Sequence, residues 1–345
     1  MHLSTILRGL AGVVAAAIAL LLLALVIDHR VLDRLRDPDR PKATAIAGEG
    51  RRDLFVLPDD GARVVLDEFA AAERTIDVEV YLLTADDVVD ELAAAVDRDV
   101  RVRVLLEPDP YGGTGDVDAD AAQLRSLGVE VRFSGKDVRF SHIKTFVVDD
   151  RVALVTSLNL TNAALTDNRE LGVISTEPGV IATASALFEA DWTGSRPPDP
   201  GPLVVSPLNS RSTIEGLVSS AETSIDVYAE VIRDDAIVAL LAERSAAGVA
   251  VRVIVPDEVS PDDLDVYARL TAAGVAVRTI GSPYQHAKMI LVDGARASIG
   301  SINLTATSMD DNREAGIVLS DASSLGRLSA VFDVDWSQGE TVRSA

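Results

Sequence analysis

The chain repeats a set of polar residues at one fixed distance, and that repeat limits the fold more than any other feature. His142-Ile143-Lys144 with Asp149 returns as His286-Ala287-Lys288 with Asp293. Ser157 and Asn159 return as Ser301 and Asn303, Asp167-Asn168-Arg169-Glu170 as Asp311-Asn312-Arg313-Glu314, and Asp191-Trp192 as Asp335-Trp336. Every pair is offset by 144 residues, so no insertion separates the first pair from the last. A chain of 345 residues has room for two such units, each the size of an ordinary domain.

Apolar patterns repeat as well. Glu73-Arg74-Thr75-Ile76-Asp77-Val78 returns as Glu222-Thr223-Ser224-Ile225-Asp226-Val227, and residues 100–105 and 127–132 return as 249–254 and 273–278. Their β-branched alternation predicts strands. Helical spacing over 86–96 and 235–247 predicts helices between them. Strand and helix alternating in both halves gives an α/β fold of two similar sandwich lobes. Residues 194–202 hold four prolines and predict a linker, which places the lobes at 51–193 and 203–340. The glycine-bearing stretch 108–120 is expected as a surface loop.

Residues 9–27 carry no charge and are filled by Leu, Ala, Val and Ile. As a helix they would span about 28 Å, close to the thickness of a bilayer's hydrocarbon core. The run ends without a good cleavage site, so residues 1–30 are expected as an uncleaved transmembrane anchor and 31–50 as a tether. Arg30, Arg34, Arg36, Arg40 and Lys42 outnumber Arg8, which by the positive-inside rule predicts a cytoplasmic catalytic part.

Formal charge is −22 overall, and residues beyond 42 carry 26 basic and 50 acidic groups. That sign argues against a nucleic-acid partner, because phosphate neutralisation by Lys and Arg supplies most of such affinity. Cysteine is absent, which excludes disulfides, thiolate metal sites and a Cys nucleophile. No cofactor is expected, and the oligomeric state leaves no readable mark.

Of four histidines, His2 and His29 flank the apolar run, so the globular part keeps only His142 and His286. Beyond residue 42 the lysines are Lys136, Lys144 and Lys288, in a chain that otherwise uses Arg for positive charge. Lys supplies a compact point charge where Arg supplies a planar fork. In a strand His142-Ile143-Lys144, the period of two puts His and Lys on one face. Ser157 and Asn159 likewise share a face. Such a set suits a phosphodiester. Lys144, Lys288 and the amides of Asn159 and Asn303 offset charge on the nonbridging oxygens. A neutral imidazole can attack phosphorus while a protonated one donates to the leaving oxygen. Glu170 and Glu314 are placed to accept from the other ring nitrogens. Trp192 and Trp336 are expected as core anchors, and Asp149 and Asp293 as strand-end or interface ion-pairing residues.

His-x-Lys-x-x-x-x-Asp followed by a Ser-x-Asn pair, twice in one chain, resembles the phospholipase D superfamily. The resemblance covers about residues 51–340. It implies two motifs meeting at one site across a pseudo-twofold axis, and no metal. It further implies that His142 attacks, that His286 protonates the leaving group, and that Ser157 and Ser301 support the substrate. The second motif has Gly300-Ser301 where the first has Thr156-Ser157, which adds a side chain at a strand end. The expected function is phospholipase D-type hydrolysis or phosphatidyl transfer on phospholipid at a membrane. A metal-independent nuclease of the same superfamily and a catalytically silent scaffold are the alternatives.

Overall fold

The computed structural model describes residues 50–111 and 116–342. The expected anchor, the tether through residue 49 and part of the loop 108–120 lie outside them. Among the described residues, no helix is long and apolar enough to cross a membrane.

In the first half, valine- and isoleucine-rich segments form β1 (Arg52–Leu57), β2 (Thr75–Val80), β3 (Arg101–Leu106), β4 (Glu130–Phe133), β5 (Lys144–Val148), β6 (Val152–Thr156) and β7 (Asn168–Ser175). Helices α1 (Arg63–Ala70), α2 (Asp86–Asp97), α3 (Val117–Ser126), α4 (Asn162–Thr166) and α5 (Pro178–Thr193) lie between and after them. The second half follows with β8 (Leu203–Ser206), α6 (Ser210–Ser219), β9 (Ser224–Tyr228), α7 (Asp235–Ala246), β10 (Ala250–Pro256), α8 (Pro261–Ala272) and β11 (Ala276–Ile280). Then come β12 (Tyr284–Gln285), β13 (Met289–Val292), β14 (Arg296–Gly300), β15 (Glu314–Leu319), α9 (Ala322–Gln338) and β16 (Glu340–Thr341).

Both sheets are mixed and have the same order. The first runs β1-β7-β6-β5-β2-β3-β4 and the second β8-β15-β14-β13-β9-β10-β11, with β16 at its edge. The segments β2-β3-β4 and β9-β10-β11 are parallel, because α2, α3, α7 and α8 supply the crossovers that parallel neighbours require. Helix starts are set locally. Asp234 accepts from the Ile237 amide, and Ser260 with Asp263 makes a reciprocal capping box ahead of Pro261.

Two apolar layers lie under the outer helices, one in each half. A third is shared. Val147, Val155 and Val173 of the first sheet meet Met289, Ile299 and Ile317 of the second, with Leu187 of α5 and Phe332 of α9 in the same cluster. The described residues therefore form one compact unit, with a continuous core running between the sheets. Trp192 is buried with Leu105 and Phe188, whereas Trp336 is only partly buried and stacks on Phe332.

The buried Arg–Asp contacts between the halves form a reciprocal pair. Arg169 binds Asp335 through two hydrogen bonds of 2.7 and 3.0 Å, and Arg313 approaches Asp191 at 2.8 and 3.1 Å. The Asp-Asn-Arg-Glu and Asp-Trp repeats thus join opposite halves. The ion pairs between the halves are thus made by Asp191 and Asp335, while Asp149, at the end of β5, pairs within its own half with Arg151 at 2.9 Å.

Candidate active site

Each histidine is gripped by the half to which it does not belong. The His142 amide donates to the Arg313 carbonyl at 2.9 Å, and the His286 amide to the Arg169 carbonyl at 3.3 Å. β12 pairs with β7, and Ser141 bridges to Arg313. This changes one sequence expectation. β5 begins at Lys144 and β13 at Met289, so neither histidine lies within a strand of its own sheet. Their backbones have been drawn across to the opposite half.

The rings follow the backbones. His142 Nδ1 is 2.9 Å from Glu314 Oε2, and His286 Nδ1 is 2.7 Å from Glu170 Oε1, the latter off the alignment of a full hydrogen bond. Both glutamates are fully buried. Ser308 donates to Glu314 and Ser157 to Glu170, while the Asn312 amide adds a bond of 3.2 Å to Glu314. With Nδ1 turned to a carboxylate, the nitrogen left for chemistry on each ring is Nε2.

Lys144 donates to the His142 carbonyl at 2.8 Å, and Lys288 to the His286 carbonyl at 2.7 Å. Each lysine is therefore anchored by its own histidine's backbone, two residues away. Burial pulls the Lys144 pKa down to about 7, with nearby Glu314 opposing and Lys288 reinforcing the shift. Burial also lowers the His142 pKa, against the pull of Glu314. A neutral His142 at physiological pH follows.

The halves differ where they would be expected to match. Glu79 faces Thr145 across β2 and β5, and Tyr228 faces Met289 across β9 and β13, so Tyr81 and Glu230 occupy equivalent positions two residues on. The Tyr81 ring meets His142 edge-on at 4.6 Å between centroids, with Lys144 Nζ 5.2 Å from the ring centre. Glu230 instead lies 2.7 Å from Lys288 Nζ, 3.1 Å from Asn303 Nδ2 and 3.5 Å from His286 Nε2. Burial alone would raise its pKa, but His286 and Lys288 outweigh burial and hold the carboxyl well below its ordinary range. Glu230 is thus ionised. Neither Tyr81 nor Glu230 belongs to the repeat, which is why sequence comparison of the halves passed over both. The available signal was the change from aromatic to acid just after an apolar strand.

The remaining site residues fall into two groups. Asn159 is buried and its Oδ1 has no protein hydrogen bond, while the Asn303 amide turns to Glu230. Ser157 and Ser301, expected at the substrate, are fully buried and directed at protein. Ser157 accepts from the Leu171 amide at 3.0 Å and donates to Glu170, and Ser301 accepts from the Ala315 amide at 3.1 Å. Asp149 and Asp293 sit in the left-handed region, with φ of 56° and 54°. Asp149 accepts from the amides of Glu73, Arg74 and Thr75, and Asp293 from those of Glu222, Thr223 and Ser224. Each pins the turn after β5 or β13 to the start of the neighbouring strand within its own half.

The glycine missing from the first motif also has a local explanation. At Gly300, φ is +150° and an added Cβ would lie 2.3 Å from the Ala315 carbonyl oxygen. In the first half Thr156 occupies ordinary strand backbone, and its hydroxyl accepts from the Leu158 amide at 2.6 Å.

Residues 65–192 and 214–336 each match the family described as cardiolipin synthase, PLD-like domain. The chain belongs to that family. Cardiolipin synthase A of Citrobacter koseri is 26% identical, aligned over 84% of this chain and 70% of its own length. For cardiolipin synthase of Geobacillus kaustophilus the identity is also 26%, over 80% of this chain and 64% of the relative. This PLD-like chain therefore spans about two thirds of those synthases. Among solved structures, phosphatidylserine synthase of Haemophilus influenzae superposes with a TM-score of 0.67 at 13% identity, covering 85% of this chain and 88% of that one. Polyphosphate kinase of Porphyromonas gingivalis gives 0.66 at 15%, covering 83% and 47%. At such identities the PLD-like fold alone is shared.

Proposed function

We propose that the protein is a phosphatidyltransferase or phospholipase D that works through a covalent phosphohistidine at a membrane surface. The observation that carries this reading is the crossed pair of histidines, each held at Nδ1 by the other half's buried glutamate. Such exchange orients two Nε2 atoms for one reaction. His142 Nε2 attacks phosphorus, the P–O bond to the head-group alcohol breaks, and His286 Nε2 gives that oxygen a proton. In the second step an incoming alcohol or water loses its proton to His286, forms a new P–O bond and releases His142. Lys144, Lys288, Asn159 and Asn303 stabilise the charge on the five-coordinate phosphorus. The lowered pKa of His142 favours it as nucleophile. Glu170 and Glu314 hold the rings, with Ser157 and Ser301 supporting the strands behind them, while Asp149 and Asp293 maintain the turns.

The names of the relatives support phospholipid as substrate, since both synthases are named for cardiolipin. The strongly acidic sequence supports lipid over nucleic acid. On this reading residues 1–30 anchor the enzyme, 31–50 tether it on the cytoplasmic side, 194–202 link the halves and a pseudo-twofold axis relates them. The test is to quench turnover of phosphatidyl-labelled phosphatidylglycerol and map the adduct by mass spectrometry, with plasmid DNA in a parallel reaction. Label is expected on His142. Label on His286 reverses the two roles, and DNA nicking without lipid turnover rejects the lipid reading.

A further inference from the structure

Among the described residues, Glu230 is the one acidic side chain at this site that pairs with a catalytic lysine while lying within reach of the reactive nitrogen of His286. Its Oε2 is 2.7 Å from Lys288 Nζ and 3.1 Å from Asn303 Nδ2, and its Oε1 is 3.5 Å from His286 Nε2. The side chain keeps 22% of its surface exposed, against 10% for His286 and 4% for Lys288. It is the most accessible of the three. Lys288 and Asn303 each keep a further N–H for the phosphate oxygens, so the ionised carboxylate lies beside that phosphate and cannot face its oxygens without repulsion. What fits against it is a hydrogen-bond donor, carried by whichever group occupies the His286 side of phosphorus. In the proposed reaction that group is the alcohol, leaving or entering.

We infer that Glu230 selects the alcohol, accepting a hydrogen bond from a second hydroxyl on the carbon adjacent to the one that bears the reacting oxygen. The inference rests on the transfer reading above. A neutral hydroxyl fits better than an ammonium, because Lys288 already offsets the charge of Glu230. In the first half the equivalent position is held by Tyr81. There the Tyr81 ring packs against His142, so the nucleophile's side is aromatic and the alcohol's side is acidic. During transfer the alcohol's O–H proton goes to His286 Nε2, its oxygen bonds to phosphorus and the P–N bond to His142 breaks. Glu230 holds the neighbouring hydroxyl and takes no proton.

The test uses the full chain with phosphatidylglycerol vesicles and equal concentrations of 1,2-propanediol, 1-propanol and ethanolamine in one reaction. Ratios of the phosphatidyl products are read by mass spectrometry, so loss of overall rate does not distort them. Wild type should favour the diol over 1-propanol by about tenfold or more, since a site built around a hydroxyl discriminates against the analogue lacking it. Glu230→Gln should bring that ratio to within about threefold of one, and Glu230→Asp should restore part of it. An unchanged ratio in Glu230→Gln, a wild-type ratio near one, or ethanolamine outcompeting the diol would each overturn the inference. If wild type makes no transfer product with any alcohol, the transfer reading itself fails. That outcome is distinct from transfer that ignores Glu230.

Discussion

Glu314 Oε2 stands 2.9 Å from Nδ1 of His142, although the two residues are 172 positions apart and belong to different halves of the chain. The reciprocal approach of Glu170 to His286 means that neither half holds a complete set of groups. Glu314→Gln removes the acceptor that fixes the His142 tautomer. It should lower kcat/KM for lipid by about 10²–10⁴-fold, as loss of an orienting carboxylate does elsewhere. Steady-state kinetics with a matched melting curve checks this, and an effect below about threefold would separate the carboxylate from catalysis.

The pH profile should report Lys144. The free enzyme needs His142 neutral, which its lowered pKa permits at neutral pH, Lys144 charged, and the proton that His286 delivers to the leaving oxygen in place. Since burial places the Lys144 pKa at about 7, kcat/KM should fall as pH rises through that value. Bound phosphate raises the lysine's pKa, so the alkaline limb of kcat should lie higher than that of kcat/KM. In Lys144→Arg, slower overall, the alkaline limb of kcat/KM should lose the part that Lys144 contributes, because guanidinium stays charged.

Stability should depend on the crossed arginines. Arg169→Met leaves Asp335 buried with the Tyr228 hydroxyl as its remaining close partner. Breaking a buried pair in this way costs about 3–5 kcal/mol. Urea unfolding should show the loss, and a double variant that also replaces Asp335 with Leu should recover part of it.

Asp293 links folding to acid pH. Burial opposes its ionisation, but the amides of residues 222–224 and the Thr223 hydroxyl bring its pKa to about 2. The unfolded value is about 3.9, so its contribution is full above that pH and is lost as pH falls toward 2. Asp293→Asn should be less stable at pH 7 and show a flatter decline between pH 4 and 2.

Gly300 and Thr156 should respond unequally to substitution. Gly300→Ala forces a Cβ against the Ala315 carbonyl at a positive φ and should cost about 2 kcal/mol or more. Thr156→Gly loses only strand preference and one local hydrogen bond, about 1 kcal/mol. Thermal unfolding of the two variants compares them directly.

The amino-acid order by itself determined the duplicated α/β elements, because strand alternation and helical spacing are local periodicities. The helix expected over 86–96 is found at Asp86–Asp97, and that over 235–247 at Asp235–Ala246. It also singled out His142, His286, Lys144 and Lys288, since scarce residues repeated at one offset stand out without coordinates. Only the tertiary structure decided who holds whom. Glu314 serves His142 and Asp335 serves Arg169 because the two sheets pack across a shared core, a long-range contact that leaves no local pattern. The inward turn of Ser157 and the approach of Glu230 to His286 have the same origin. Each depends on which residue of another strand lies opposite, and that is set by sheet register and interlobe packing.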